Sequence, residues 1–207
     1  MNPHFDAIEL SIFSSRLAAI CEQMGDVLRK TALSPNIKDR LDFSCAFFDK
    51  KGRIVSQAAH IPVHLGSMAY AMKEVVSRFR WFEGDVVVLN DPFLGGTHLP
   101  DVTMLSPFFC DGELLGFVAN RAHHANIGGT SAGSMPLTKK LSEEGVLISP
   151  VKLVGAGELC VTVVSMLASV DSQADQSVLP GDFQAQVSSN RLGLNRLGVW
   201  LGSVTGP

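Results

Sequence analysis

The sequence predicts an α+β fold, with a strand-rich core, a long helix at the N-terminus and a helix at the C-terminus. Apolar residues near the start recur at helical spacing, the middle carries short apolar runs between turn residues, and helical spacing returns near the end. The chain has 207 residues, 46% of them hydrophobic, which is enough to bury a sizeable core. We therefore expect a single mixed domain over residues 1–207.

The N-terminal helix is expected over residues 5–30, because apolar side chains recur there at intervals of roughly three or four positions. These side chains are Ile8, Ile12, Leu17, Ile20, Met24 and Val27. Residues 42–57 then alternate in polarity and turn through residues 49–52 before a second apolar stretch. This pattern is typical of a β-hairpin, so two paired strands are expected after the helix.

The middle of the chain is expected to be rich in strands. A helix is first predicted over residues 67–79 from its apolar spacing. A buried strand follows and is stopped by Asp91-Pro92, and two more strands flank a turn at residues 110–112. The three expected strands are residues 84–92, 101–109 and 113–120.

The C-terminal part is expected to return to helix. A stretch rich in glycine and serine follows residue 122, and an apolar segment then resumes at residue 146. The spacing predicts one helix near residues 158–169 and a final helix over residues 181–201, with a polar loop between them. Gly193 and Gly198 weaken the final helix, since each interior glycine costs roughly 1 kcal/mol relative to alanine.

Composition and charge exclude several classes of function. The net charge of −3, with scattered lysines and arginines, gives no basic surface for nucleic acid. The N-terminus lacks the apolar segment of a secretory signal, and the longest apolar run is too short to span a membrane. The four cysteines form no CxxC pair, which argues against a zinc ribbon or a disulfide scaffold. We expect a cytoplasmic protein.

The segment GGTHLPDVTM, residues 95–104, places His98 and Asp101 three positions apart. Pro100 lies between them, lacks a backbone donor and blocks a helix, so both side chains are expected on a turn. A turn can direct an imidazole nitrogen and a carboxylate oxygen to one point. Such ligands suit Mn, Fe or Zn and leave a position open for substrate or water.

A third ligand is offered by His123 or His124, which follow the strand expected to pair with the one starting at Asp101. Adjacent residues of an extended chain face opposite sides, so only one of the two histidines can readily join the same metal ion. The alternative is that these histidines are structural residues that form hydrogen bonds near strand ends. The spacing by itself leaves both interpretations open.

Other polar residues have weaker patterns. His60 and His64 are four positions apart, but Pro62 prevents the helical geometry of an HExxH-type metal site, so a structural or substrate-orienting role is favoured. Asp42 begins an expected strand, where it is either a turn residue or a further ligand.

A serine hydrolase motif is also present. Residues 129–133 fit G-x-S-x-G, with Ser131 as the nucleophile. That motif requires a strand directly before the serine and a helix directly after it, whereas here a glycine-bearing polar stretch precedes Ser131 and Pro136 follows. The serine hydrolase interpretation is therefore disfavoured.

Four long motifs occur in order along the chain: SPNIKDRLDFSCAFFDKKGRIVSQAAHIPVHLGSM, GDVVVLNDPFLGGTHLPDVT, NRAHHANIGGTSAGSMP and EEGVLISPVKLV. Together they resemble the hydantoinase B / 5-oxoprolinase family, which includes the alpha subunit of acetone carboxylase. The similarity extends from the first helix to about Leu201. Members of that family are several hundred residues longer, so the resemblance implies that the chain corresponds to an N-terminal part of the family unit.

The resemblance implies a subunit that works beside a hydantoinase A-type ATPase, which uses ATP to phosphorylate an amide, lactam or carbonyl oxygen. In the acetone carboxylase branch, the corresponding residues hold manganese. Carried over to this sequence, the metal ligands are His98, Asp101 and His123, the last preferred over His124. Asp42 is expected to complete the coordination, with His124 and His60 as supporting or proton-transfer groups.

The leading hypothesis is therefore a metal-binding subunit for ATP-dependent hydrolysis of a cyclic amide such as 5-oxoproline or a hydantoin. Manganese is the expected ion, with zinc and iron as alternatives. Competing hypotheses are a non-catalytic fragment that binds a metal or a partner, and a subunit of an acetone carboxylase-like carboxylase. The mean hydropathy of +0.22 and the short length also predict an oligomer or a tight complex with a partner.

Overall fold

A computed structural model describes residues 6–58, 61–131, 137–170 and 175–204. The helices are α1 (Ala7–Thr31), α2 (Pro35–Lys38), α3 (Pro62–Val76), α4 (Leu141–Glu144), α5 (Val161–Ala168) and α6 (Gly181–Val204), with a short 3₁₀ helix at Pro92–Leu94. The strands are β1 (Phe43–Asp49), β2 (Ile54–Ala58), β3 (Val86–Leu89), β4 (Asp101–Cys110), β5 (Glu113–His123), β6 (Val151–Gly155) and β7 (Glu158–Leu159).

The strands form one antiparallel sheet of seven, in the order β2-β1-β5-β4-β3-β6-β7. The long β4–β5 hairpin lies at its centre. In that hairpin Asp101 pairs with His123, and Thr103 pairs with Arg121. Because paired residues of neighbouring strands project to the same face, the start of β4 and the end of β5 present their side chains together.

Helices cover both faces of the sheet. On one face, α1 and α6 pack together over β1, β4 and β5, around buried residues such as Met24 and Val118. On the other face, α3 packs over β1, β3, β4 and β5 through Met68 and Met72. A third apolar cluster joins β3, β4 and β6 to α5 and to the start of α6.

The α+β fold predicted from the sequence is confirmed, including both terminal helices, the first hairpin and the central strands. Several boundaries differ by two to five residues, and two of these differences have a clear physical reason. Helix α3 begins at Pro62 rather than residue 67, because proline favours the first helical position, where its missing N–H has no intrahelical partner. Strand β5 continues to His123, three residues beyond its predicted end, because the side chains of Asn120 and Arg121 form hydrogen bonds with buried partners.

Among the helices of the described residues, none is long and apolar enough to cross a membrane. All four cysteines are free thiols.

Candidate metal centre

The candidate centre lies where the start of β4 meets the end of β5 and the residue preceding β1. Backbone hydrogen bonds connect these segments. The His123 N–H donates to the Asp42 carbonyl at 3.0 Å, and the His124 N–H donates to the Pro100 carbonyl at 2.9 Å. Residues distant in sequence, Asp42, Asp101 and His123, are thereby brought side by side.

Two glycines allow the loop before β4 to reach this place. Gly95 has φ of +89°, and a Cβ atom there would lie 2.5 Å from the Ala71 backbone nitrogen and 2.7 Å from the Ser67 carbonyl oxygen in α3. A Cβ at Gly96 would lie 2.7 Å from the Asn90 carbonyl oxygen. Only a residue without a side chain at position 95 lets this loop lie so close to α3, and glycine at position 96 lets it lie against the backbone of residues 90–91.

Three ligand atoms form a nearly equilateral triangle. The Asp101 Oδ1 atom lies 3.0 Å from His98 Nε2 and 3.1 Å from His123 Nδ1, and the two imidazole nitrogens are 3.2 Å apart. Tetrahedral ligands with bonds of about 2.0 Å stand roughly 3.3 Å from one another. The spacing and the chemistry of this donor set therefore fit a divalent cation such as Mn, Zn or Fe.

The triangle opens toward solvent on one side. Asp101 and His123 are buried, whereas the His98 side chain retains 29% of its exposure. Of the two residues that sequence analysis expected on a turn, His98 does lie in one, but Asp101 is already the first residue of β4. The sheet thus fixes the carboxylate, and the loop supplies the imidazole beside it.

The electrostatics of the site favour a carboxylate anion. Burial by itself would raise the pKa of Asp101, but hydrogen bonds from His123, His64 and His98 outweigh it and hold this pKa well below its usual range. The hydrogen bond to Asp101 raises the pKa of His98, against the opposing effect of burial. Asp101 is therefore charged at neutral pH and available as an anionic ligand.

Asp42 and His64 lie next to the triangle. Asp42 Oδ2 is 3.6 Å from His123 Nδ1, and His64 Nε2 is 3.5 Å from both Asp42 Oδ1 and Asp101 Oδ2. The sequence pattern favoured only a structural or substrate-orienting role for His64. Its place in the first turn of α3 could be foreseen from the preceding Pro62, but its contact with both carboxylates depends on how α3 packs on the sheet.

Two further residues near Asp101 belong to no motif of the sequence. The Thr97 hydroxyl donates to Asp101 Oδ2. The fully buried Arg121 donates from Nε to Thr103 Oγ1 at 2.8 Å, from Nη1 to Ser67 Oγ at 2.5 Å and from Nη2 to the Gly95 carbonyl at 2.9 Å. Burial lowers the pKa of Arg121 to about 10, so its guanidinium is cationic at neutral pH. Its hydrogen bonds connect β5 to α3 and to residues 95–100, the glycine loop before β4.

His124 faces the other side of the sheet, as the alternation of an extended strand requires. Its Nε2 atom lies 2.9 Å from Gln186 Oε1, and its ring centroid is 4.5 Å from that of Phe183 in α6. Burial lowers the pKa of His124, so it is neutral near pH 7. His60, the other expected supporting group, lies outside the described residues.

The serine motif lacks its required strand. Ser131 is exposed and follows seven residues of loop after β5 ends, rather than a strand. Residues 132–136, which follow the serine, lie outside the described part of the chain. The described residues before Ser131 therefore do not form a nucleophile elbow.

Comparison with known families supports the resemblance seen in the motifs. The profile of the hydantoinase B/oxoprolinase family matches residues 6–203, almost the whole chain. The chain belongs to this family. The candidate ligands therefore lie within the region that matches the hydantoinase B/oxoprolinase profile.

Related sequences include enzymes named for cyclic amides. The chain is 43% identical over 192 residues to a 5-oxoprolinase of Dictyostelium discoideum, covering 91% of this chain and 15% of the relative. It is 34% identical over 195 residues to the caprolactamase subunit beta of Pseudomonas jessenii, covering 93% of this chain and 33% of that subunit. The chain thus spans a third or less of these relatives.

Two solved structures share the fold. The ATP-dependent caprolactamase of Pseudomonas jessenii superposes with a TM-score of 0.84 at 32% identity, covering 98% of this chain and 35% of that one. A nucleotide-free acetone carboxylase gives a TM-score of 0.85 at 20% identity, covering 97% of this chain and 27% of that one. At that identity the carboxylase shows the common fold alone.

Proposed function

We propose that this chain is a metal-binding hydantoinase B-type subunit that supports ATP-dependent hydrolysis of a cyclic amide. The observation that carries the proposal is the convergence of His98, Asp101 and His123 within a chain of this family. Two of its relatives are named for 5-oxoproline and caprolactam, which are both cyclic amides. We therefore favour a lactam or a hydantoin as the substrate class.

Each residue is assigned a separate role at the centre. His98, Asp101 and His123 would hold the cation, with manganese preferred over zinc or iron, and Asp42 would complete its coordination. When bound, such a cation polarises a carbonyl or phosphoryl oxygen and lowers the pKa of a water molecule toward about 7. His98 lies at the solvent-facing side, so the substrate approaches there.

The family resemblance implies supporting or proton-transfer roles for His124 and His60. Because His124 lies on the opposite face of β5 and contacts Gln186, its geometry favours support of the strand over direct proton transfer. It holds the end of β5 against α6, one residue away from the ligand His123. Proton transfer by His60 remains a proposal.

The proposed partner is a hydantoinase A-type subunit that binds and uses ATP. The support comes from relatives: one is named as subunit beta of caprolactamase, and the solved caprolactamase is described as ATP-dependent. A cytoplasmic location is proposed with it, because four free thiols and ATP use suit a reducing compartment.

The test is reconstitution. The purified chain is mixed with a hydantoinase A-type subunit, Mn²⁺, ATP and either 5-oxoproline or hydantoin, and ring opening and ADP release are measured together. Coupled turnover that disappears in the Asp101→Ala variant is expected. Absence of turnover with every lactam tested would contradict the proposal that this chain is active with the ATPase alone.

A second candidate is a fragment that binds a metal ion or a partner without completing a reaction. It is favoured by the coverage, since the chain spans 15% of one relative and 33% of another. Adding a chain that carries the remaining part of a relative distinguishes the two candidates. Restored turnover on mixing would indicate a split enzyme and would contradict the non-catalytic fragment.

The metal centre itself is tested by titrating Mn²⁺ into protein that has been freed of metal with a chelator. Asp101→Ala removes the anionic ligand and is expected to weaken Mn²⁺ binding far more than His124→Ala. Affinity is also expected to fall as the pH decreases, because protons compete with the cation for imidazole nitrogens. Since the pKa of His98 is raised, this loss begins above about pH 6.5, the usual histidine value. Equal, pH-independent affinity for Mn²⁺ in the wild type, Asp101→Ala and His124→Ala would show that the ligands lie elsewhere.

A further inference from the structure

We propose that His64 is a positioning residue that fixes the orientation of both carboxylates at the metal centre. The proposal rests on the metal site proposed above. His64 is only 2% exposed, and its Nε2 atom lies 3.5 Å from Asp42 Oδ1 and 3.5 Å from Asp101 Oδ2. One imidazole nitrogen therefore stands between two acidic side chains.

The two oxygens of Asp101 and the two oxygens of Asp42 face different partners, in the same pattern. Asp101 directs Oδ1 to the imidazoles of His98 and His123, and directs Oδ2 to His64. Asp42 directs Oδ2 to His123 and Oδ1 to His64. Each carboxylate thus presents one oxygen to the centre and turns the other toward the same ring. One oxygen of each carboxylate would therefore be free to hold a cation.

Hydrogen-bond chemistry sets the proton on His64. Ionised carboxylates only accept hydrogen bonds, so the Nε2 atom facing them must carry a hydrogen. The other ring nitrogen, Nδ1, lies 3.4 Å from Ser44 Oγ, a hydroxyl that both donates and accepts. Ser44 also lies 3.2 Å from the Ile61 carbonyl, just before α3. The Ser44 hydroxyl carries one hydrogen, which it donates either to the Ile61 carbonyl or to Nδ1, and donation to Nδ1 suits the tautomer with its hydrogen on Nε2.

The position of His64 couples the centre to α3. Ser67 donates from its hydroxyl to the His64 carbonyl at 3.1 Å, and the same hydroxyl accepts from the buried Arg121. The His64 ring is thus held from two sides, by Ser44 on β1 and by the first turns of α3. A ring fixed in this way can hold two carboxylates that would otherwise repel each other.

The experiment compares two substitutions of His64 in the full chain. His64→Ala removes the donor, whereas His64→Gln keeps an N–H at a similar distance from the backbone. His124→Gln is the matched control, an equally buried histidine that contacts neither carboxylate, and Asp101→Ala reports loss of the centre itself. Mn²⁺ affinity, the absorption spectrum of bound Co²⁺ and thermal unfolding without metal are measured for each protein.

We expect His64→Ala to weaken Mn²⁺ binding about 10–100-fold and to shift the Co²⁺ spectrum, as loss of a group that orients a ligand does. His64→Gln should recover most of the affinity, and His124→Gln should lose less affinity than His64→Ala does. Wild-type affinity and spectrum in His64→Ala, with binding lost in Asp101→Ala, would overturn the role of His64 and leave the metal centre standing. Equal losses in both His64 variants would also overturn it, because the proposal requires the donor. A wild-type protein that binds no ion would overturn both proposals.

Discussion

Single residues decide whether the loop carrying His98 can reach the sheet. Gly95 adopts a left-handed conformation and lies directly against the backbone of α3. Arg121 also donates a hydrogen bond to the carbonyl oxygen of Gly95. One glycine therefore links the packing of a helix to the position of a proposed metal ligand.

Replacing Gly95 by alanine should destabilise the protein and weaken metal binding. The left-handed conformation costs an L-residue roughly 1–2 kcal/mol, and the overlap of Cβ with Ala71 and Ser67 adds to this cost. Gly112→Ala is the control, since Gly112 has φ of +78° but no neighbour within 4 Å. Denaturant unfolding and Mn²⁺ titration check the pair. Equal losses of stability with unchanged affinity would show that the loop does not depend on this contact.

The thiols should differ in reactivity. Burial raises the pKa of Cys21 to about 12 and raises that of Cys45 well above its usual value, so neither forms appreciable thiolate at pH 8. Cys110 and Cys160 are half-buried. Alkylation of the native protein at pH 8, followed by peptide mass analysis, should modify Cys110 and Cys160 first. Rapid labelling of Cys21 or Cys45 before unfolding would contradict this expectation.

At the scale of elements, the central strand β5 connects helices on both faces of the sheet. Asn120 donates from its side chain to the Gln186 carbonyl and to Asn190 Oδ1 in α6, both at 2.8 Å. The next residue, Arg121, donates to Ser67 in α3 on the opposite face. These buried polar groups find partners only after the helices have packed, and they then fix the registers of α3 and α6 on the sheet.

Helix α6 contains two glycines with opposite expected effects. Gly198→Ala should stabilise the protein by about 0.5–1 kcal/mol, because this exposed helical position has no neighbour within 4 Å and alanine is the better helix former. Gly193→Ala should cost about 1–3 kcal/mol, since its Cβ would lie 2.5 Å from Met24 Sδ in a filled core. Urea unfolding measures both. Stabilisation by both substitutions would show that α1 and α6 pack more loosely than the structure indicates.

At the scale of the whole molecule, the proposed cation joins four separate parts of the chain. Its surroundings combine the residue before β1, the glycine loop, the start of β4 and the end of β5. No local segment brings these ligands together in the unfolded state. Binding should therefore stabilise the fold as a whole.

Metal addition should raise the melting temperature. At a free Mn²⁺ concentration 100 times Kd, binding to the folded state raises the free energy of unfolding by about 2.7 kcal/mol. For a chain of this size that corresponds to a rise of about 5–10 °C. Calorimetry of the chelated and Mn²⁺-loaded protein checks the value, with Asp101→Ala as the control. An equal rise in that variant would place the ion at another site.

The apolar start of α1 should promote association. Ile8, Leu10 and Ile12 are 66%, 59% and 52% exposed, although α1 is an amphipathic helix with its later turns buried. We expect the purified chain to associate as its concentration rises, and expect glutamine at all three positions to reduce this. Leu137→Gln serves as a control at an exposed leucine outside α1. Light scattering that shows a wild-type monomer at high concentration would contradict the prediction.

The sequence by itself determined the α+β class, the two terminal helices and the central strands, because apolar periodicity and turn residues act locally. Ordered motifs also indicated the family and singled out His98, Asp101 and His123, whose mutual geometry follows from one hairpin register and one short loop. Tertiary structure alone decided the place of His64, Arg121 and Thr97 around Asp101. Their contacts depend on how α3 and the glycine loop dock on the sheet, and that docking is set by close packing between segments far apart in the chain.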